Sequence, residues 1–476
     1  MLFNSLEFLF FLPAVFSLYW FLCNKNLQYQ NLLVVFASYI FYGWWDWRFL
    51  SLIFFSTVID FFVGRKIYLN NISKWRKIYL CVSIFFNLSL LGFFKYYNFF
   101  IESWVGLLST LGYEIENIWT LEIILPVGIS FYTFQSMSYS LDVYYKKIKP
   151  TNDFISFASY VSFFPQLVAG PIERSTNLLP QMLSIRLFNY KQGVEGLRLI
   201  VWGIFKKVVI ADSLAWRVSY CFDNYSTLDG GTLLLGLVYF GIQLYCDFSG
   251  YSDTAIGTAK LFGIELMSNF KFPFFSRNIA EFWRRWHISL YTWFKDYLYI
   301  PLGGSRNGKW VKIRNIFIIY ILSSLWHGAK WTYVSYGIMH ASLYLGFLLM
   351  SKNITIDSNI VAEGKRLPSF KELFQIIFTF FSVTISWAFF RSETIVTSFE
   401  YLNQLVTKFS FPNDNRGGLF YVFTMLFLDW LSRSNERSVL STNNSIQNWI
   451  IMLVFSIIIF FFSLYNLNSK FIYYQF

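Results

Sequence analysis

Long apolar runs recur from one end of this chain to the other, with short and mostly basic loops between them. The runs are Phe8–Leu22, Leu32–Trp45, Phe49–Val63, Ile78–Phe94, Ile123–Tyr139, Phe154–Ala169, Leu197–Ala211, Thr232–Cys246, Ile313–Trp326, Trp331–Met350, Leu373–Phe390, Leu419–Leu431 and Ile450–Leu464. Only 14% of the residues are charged and 55% are hydrophobic, against about 25% charged in a soluble domain. The pattern predicts an all-α integral membrane protein, because a helix satisfies its own backbone hydrogen bonds in lipid. Several runs are shorter than the roughly 20 residues of a spanning helix. About eleven true spans are therefore expected, the remainder being tilted, re-entrant or interfacial. With no internal repeat and no soluble stretch, residues 1–476 read as a single polytopic domain. The longest polar connections are Ser351–Lys371 and Thr407–Gly418.

The net charge is +12. In a soluble protein that excess would suggest nucleic acid. Here the basic residues crowd into short loops, as they do on the cytoplasmic side of membrane proteins, so the partner is the lipid bilayer. Arg65–Lys77 and Tyr145–Asp153 are basic and should be cytoplasmic, as should the loop Gly303–Arg314. The loop with Glu102, Glu114, Glu116 and Glu122 suits the outside, which places the N-terminus outside as well. Phe8–Leu22 lacks a basic n-region and a small-residue cleavage site, and so reads as a first membrane helix. Cys23, Cys81, Cys221 and Cys246 are scattered and read as buried small apolar residues.

Glu281–Trp331 stands out within this background. It carries His287 and His327, two of the chain's three histidines, on either side of a glycine-containing basic loop. Histidine is the side chain best suited to proton transfer near neutral pH. His327 follows Arg314 by thirteen residues, roughly 20 Å along a helix, which takes it past the middle of a hydrocarbon core about 30 Å thick. If the first arm is helical and antiparallel, His287 reaches a similar depth. That arm also holds Glu281, Arg284, Arg285, Lys295 and Asp296, so it cannot face lipid. Gly328 lets another group approach and can end the helix. His340 is best explained as a packing or helix-contact histidine. The histidines are 40 and 13 residues apart, without the i, i+3 or i+4 pairing of a helical metal site, so no metal is expected. Neither a phosphate-binding glycine loop nor a serine-hydrolase elbow is present. Leu125–Asp142, Phe163–Arg174 and Gln243–Asp253 are polar for their surroundings. Helix–helix hydrogen bonding explains each one singly, and together they favour a polar tunnel.

These stretches resemble the membrane-bound O-acyltransferase superfamily, most closely its bacterial alginate O-acetylation branch. The resemblance rests on Leu2–Pro13, Gly128–Tyr139, Phe163–Ile172, Tyr245–Asp253, Phe282–His287 with Asp296–Gly304, and Leu325–Gly328. The core motifs fall roughly within 123–350. The resemblance implies a ring of helices around a central tunnel, with His327 as the catalytic histidine and His287 as the second active-site residue. Trp326, Gln135, Asp247, Arg284, Arg285, Trp283, Ser324 and His340 are candidates to line the tunnel or touch substrate. The implied activity is acyl transfer, most simply of acetyl, from a cytoplasmic thioester to a polysaccharide outside. The implied donor is acetyl-CoA or an acyl-carrier thioester, and no bound cofactor is expected. The implied partner is a periplasmic or extracellular transferase that accepts the acetyl group, and the implied location is the bacterial inner membrane. The teichoic acid D-alanylation branch shares both histidine motifs. A transporter of an acylated intermediate and a non-catalytic scaffold are the readings from other classes.

Overall fold

The computed structural model describes residues 1–113, 119–350, 360–439, 441–442 and 444–465, with only the backbone of Tyr465. Glu114 and Glu116 of the acidic loop, and the first part of the Ser351–Lys371 connection, lie outside the described residues. Among the described residues the regular structure is helical throughout. Six runs among the described residues are long and apolar enough to cross a membrane: Leu27–Leu69, Ser73–Thr110, Gly230–Leu261, Trp331–Met350, Phe370–Arg391 and Ser445–Leu464. The protein is thus an all-α integral membrane protein, as its apolar runs require.

Local chemistry sets where these helices begin and break. Asn26 caps Leu27–Asp46 by accepting from Tyr29 N–H at 3.1 Å, and Ser369 with Glu372 forms a capping box before Phe370–Arg391. Asp46 is extended, which divides the Leu27–Leu69 run. The Ile123–Tyr139 run becomes helical only at Ile129, after Pro126 and a left-handed Gly128. Phe154–Ala169 breaks at Phe163, because Pro165 has no N–H with which to continue the helix. Thr232–Cys246, in contrast, lies inside one 32-residue helix, Gly230–Leu261. Cys221 and Cys246 are buried as expected, but Cys81 is exposed on an apolar helix.

Two compact units make up the chain. The first comprises Met1–Gly193 with Ala259–Leu266. At its centre the fully buried Asp60 accepts from the hydroxyls of Ser83, Ser136 and Ser140 and from Asn87 Nδ2. The polar residues of Leu125–Asp142 find partners here too. Gln135 Nε2 donates to Tyr160 O at 2.6 Å, and Asp142 accepts from Ser175 at 2.7 Å.

The second unit comprises Val194–Thr258 and Met267–Phe476. Its part of the long helix carries Asp247 and Asp253 without leaving either charge alone. Lys207 bridges Asp247 at 2.7 Å and Asp212 at 2.8 Å, and Lys206 holds Asp253 at 2.6 Å and Ser249 at 2.8 Å. The helix Lys309–His327 turns at Gly328 and is followed by Trp331–Met350, against which it packs. A Cβ at Gly337 would lie 2.8 Å from Tyr320 O and 2.9 Å from Ile321 Cα, so only glycine allows this approach. Gly337→Val should therefore destabilise the protein by about 1–3 kcal/mol through overpacking, seen as a lower melting temperature in detergent. An unchanged melting temperature would mean that these helices do not meet at Gly337.

Candidate active site

The expected single antiparallel helix leading to His287 is instead two short helices, Ile279–Arg285 and Ile288–Phe294. They are separated by Trp286 and His287. His287 has φ 45° and ψ 53°, the left-handed region, which for a residue other than glycine costs about 1–3 kcal/mol. The break turns the chain sharply and still brings His287 to its partner. His287 and His327 have ring centroids 6.0 Å apart. Both are buried, at 1% and 6% exposure.

Asn269 holds the strained turn in place. Its carbonyl accepts from Ile288 N–H at 2.9 Å. Its Oδ1 accepts from Ser289 N–H at 3.3 Å and from Ser289 Oγ at 2.9 Å, and lies 3.2 Å from His287 Nδ1. Its Nδ2 donates to Ser252 Oγ at 3.1 Å. The rings of Phe248 and Trp326 stand 4.7 Å and 5.5 Å from the His287 ring.

His327 is the last residue of its helix. The group that approaches Gly328 is Tyr333, whose ring would lie 2.4 Å from a Cβ there. Tyr333 in turn packs on Phe390 at 4.9 Å, and Phe390 on His327 at 5.5 Å.

A cavity of about 240 Å³ opens beside the histidine pair. Its wall includes Trp283, His287, Tyr291 and Lys295 from one arm and Ile316, Ile319, Tyr320 and Ser323 from the other. Buried His287 marks its inner end and exposed Lys295 its mouth. His287, Tyr291 and Lys295 follow an i, i+4, i+8 spacing, and Ile316, Ile319, Tyr320 and Ser323 share one helix face that continues to His327. Three buried polar atoms in the wall have no hydrogen-bond partner among the described residues: His287 Nε2, Trp283 Nε1 and the Tyr320 hydroxyl. Such atoms also occur outside the wall, as at Tyr132, Tyr139 and Trp387, but three of their side chains share this one chamber, which makes it the candidate ligand site.

Trp326 borders both histidines, with ring centroids 5.5 Å from His287 and 5.2 Å from His327. Arg285 is paired with Glu281 at 2.6 Å, and Arg284 Nε donates to Ala280 O at 3.1 Å. Ser324 packs against Gly337, while its neighbour Ser323 is in the cavity wall. His340 is fully buried and meets Ser386 Oγ at 2.9 Å on the next helix, the helix contact expected of it. Asp247 is bonded to Lys207, and Gln135 to Tyr160 O in the first unit. Sequence reasoning passed over Asn269, Tyr320 and Ser323. The helical stripe leading to His327 was the available signal for Tyr320 and Ser323. Asn269 gave none, because its role depends on a turn made eighteen residues later.

The two buried histidines thus stand together, one of them in the wall of a small chamber. The chain belongs to the MBOAT, membrane-bound O-acyltransferase family, whose model matches residues 145–390, and it is an acyltransferase. It is 40% identical over 397 residues to a probable alginate O-acetylase AlgI of Pseudomonas syringae, covering 83% of this chain and 73% of that one. It is 34% identical over 435 residues to the peptidoglycan O-acetyltransferase of Helicobacter pylori, covering 85% and 80%. A teichoic acid D-alanyltransferase of Streptococcus thermophilus is 30% identical over 283 residues, covering 56% and 68%.

Glu281 anchors the arm that carries His287, accepting from Arg277 and Arg285 while itself 4% exposed. Removing one partner of a buried ion pair leaves charge uncompensated, at about 3–5 kcal/mol. Glu281→Ala should therefore markedly reduce the yield of folded protein in detergent, measured by size-exclusion chromatography. Normal yield and melting temperature would show that the arm does not need this anchor.

Proposed function

We propose that this protein transfers acetyl from a cytoplasmic thioester to a hydroxyl acceptor on the other face of a bacterial inner membrane, for O-acetylation of a cell-surface or extracellular polysaccharide. The carrying observation is the meeting of His287 and His327 at 6.0 Å beside the inner end of the cavity. At about 240 Å³ the chamber is below the roughly 300–1,000 Å³ of a drug-sized ligand site. That size suits a short acyl group on a slender arm such as pantetheine. The relatives named as acting on alginate and peptidoglycan match most of this chain, whereas the D-alanyltransferase matches 56% of it. Acetyl is accordingly preferred over D-alanyl. The acceptor that relays acetyl to the polysaccharide is a periplasmic or extracellular partner transferase.

In this mechanism the donor enters past Lys295. Arg306 and Lys309, in the loop that its charges assign to the cytoplasmic side, contribute to the field that attracts an anionic donor such as acetyl-CoA or an acidic carrier. His327 removes the proton of the acceptor hydroxyl as general base. The alkoxide oxygen bonds to the thioester carbonyl carbon, the C–S bond breaks, and the hydroxyl proton ends on the sulfur of the departing thiol. Protons balance without any external acid. His287 stands at the donor end, since the cavity wall contains His287 and not His327.

His327→Ala, compared at equal membrane levels, should lower polysaccharide O-acetylation by roughly 10²–10⁴-fold, the usual worth of general base catalysis. Near-normal acetylation would remove the mechanism. His327→Gln separates this function from transport of an acylated intermediate, because a transporter needs no basic nitrogen and would keep its activity. At the cavity mouth, Lys295→Glu should raise the KM for acetyl-CoA several-fold with little change in kcat, since a steering charge acts on binding. A fall in kcat at constant KM would place Lys295 in the chemistry instead.

A further inference from the structure

We propose that Asn269 is a positioning residue that holds His287 in the tautomer with hydrogen on Nδ1, leaving the Nε2 lone pair facing the donor cavity to receive a proton and deliver it to the leaving sulfur. The inference rests on the acyl-transfer reading above. It follows from hydrogen bonds whose directions are fixed.

The backbone N–H of Ser289 can only donate, and at 3.3 Å it meets Asn269 Oδ1. The Ser289 hydroxyl meets the same oxygen at 2.9 Å. The other end of the amide, Nδ2, donates to Ser252 Oγ at 3.1 Å. The amide orientation is therefore set by partners on both sides. The atom that faces His287 Nδ1, at 3.2 Å, is an oxygen. An amide oxygen cannot donate, so Nδ1 carries the hydrogen. In a neutral imidazole the other nitrogen then carries the lone pair. That nitrogen, Nε2, is buried without a hydrogen-bond partner among the described residues, on a side chain 1% exposed that lines the cavity.

The assignment has a chemical consequence. A neutral His287 in this tautomer cannot donate from Nε2 to the carbonyl oxygen of the thioester. It can accept a proton at Nε2 from the neighbouring His327, whose ring centroid is 6.0 Å away, or from the acceptor hydroxyl. As imidazolium it then protonates the thiolate, so the proton lost by the hydroxyl becomes the proton of the thiol. The Nδ1–H bond to Asn269 persists through both states and steadies the charged one. The same residue, through its carbonyl bond to Ile288 N–H, also maintains the left-handed turn that aims the ring.

The test uses the full chain in detergent or nanodiscs, labelled with nitrogen-15 histidine. Three histidines give a spectrum of three imidazoles, assigned with His287→Gln and His340→Gln. The expected wild-type signal for His287 has a protonated Nδ1 and an unprotonated Nε2. Asn269→Leu should scramble the tautomers and lower kcat with radiolabelled acetyl-CoA by roughly 10- to 100-fold, the usual effect of losing such an orienting partner, with KM changed less than about two-fold. Asn269→Asp, which keeps the accepting oxygen, should keep the tautomer and more of the activity than Asn269→Leu. A wild-type spectrum with hydrogen on Nε2 overturns the proposal, whether or not either variant folds. So does a folded Asn269→Leu protein with unchanged spectrum and kcat. Failure of the wild type to use acetyl-CoA would count against the donor assignment, while the spectrum still decides the role of Asn269.

Discussion

A polar side chain placed inside a membrane protein must find its partners within the protein, because lipid offers none. This constraint shapes both units. Asp60 is surrounded by four donors from neighbouring helices. Asp247, Asp212 and Asp253 share two lysines. Asn269 satisfies Ile288, Ser289 and His287 at once. In the cavity wall His287 Nε2, Trp283 Nε1 and the Tyr320 hydroxyl are buried without a hydrogen-bond partner among the described residues, as are atoms elsewhere such as the Tyr132 hydroxyl and Trp387 Nε1.

Strain marks the same place. The left-handed His287 sits between two seven-residue helices that could otherwise run as one. The turn is held by the Ile288–Asn269 bond behind it and by Glu281, which anchors the preceding helix through Arg277 and Arg285. Its effect is to swing an imidazole toward His327 at the end of the helix Lys309–His327. One histidine is placed by helix length and the other by a break.

That difference explains what the sequence made legible. The place of His327 at the far end of the helix Lys309–His327 follows from counting residues beyond Arg314, because a regular helix converts number into distance. Trp331–Met350 matches its apolar run end for end, and Lys309–His327 contains the Ile313–Trp326 run. The approach of His287 could be anticipated, but not the break that produces it, since no proline or glycine announces a left-handed histidine. The polar stretch Gln243–Asp253 was visible, whereas its continuation through one 32-residue helix depends on Lys206 and Lys207, over thirty residues earlier. Asn269 is equally silent in sequence, because its meaning lies in the turn that it supports.

In the proposed reaction the donor thioester lies at the inner end of the cavity, beside His287. The most direct measurement is a cryo-EM structure with an acetyl-pantetheine analogue in which a methylene replaces the sulfur. The expected density has the methylene that replaces the sulfur within reach of His287 Nε2 and the arm running out past Lys295. Saturating ligand bound elsewhere, with the cavity beside His287 still empty, would contradict it.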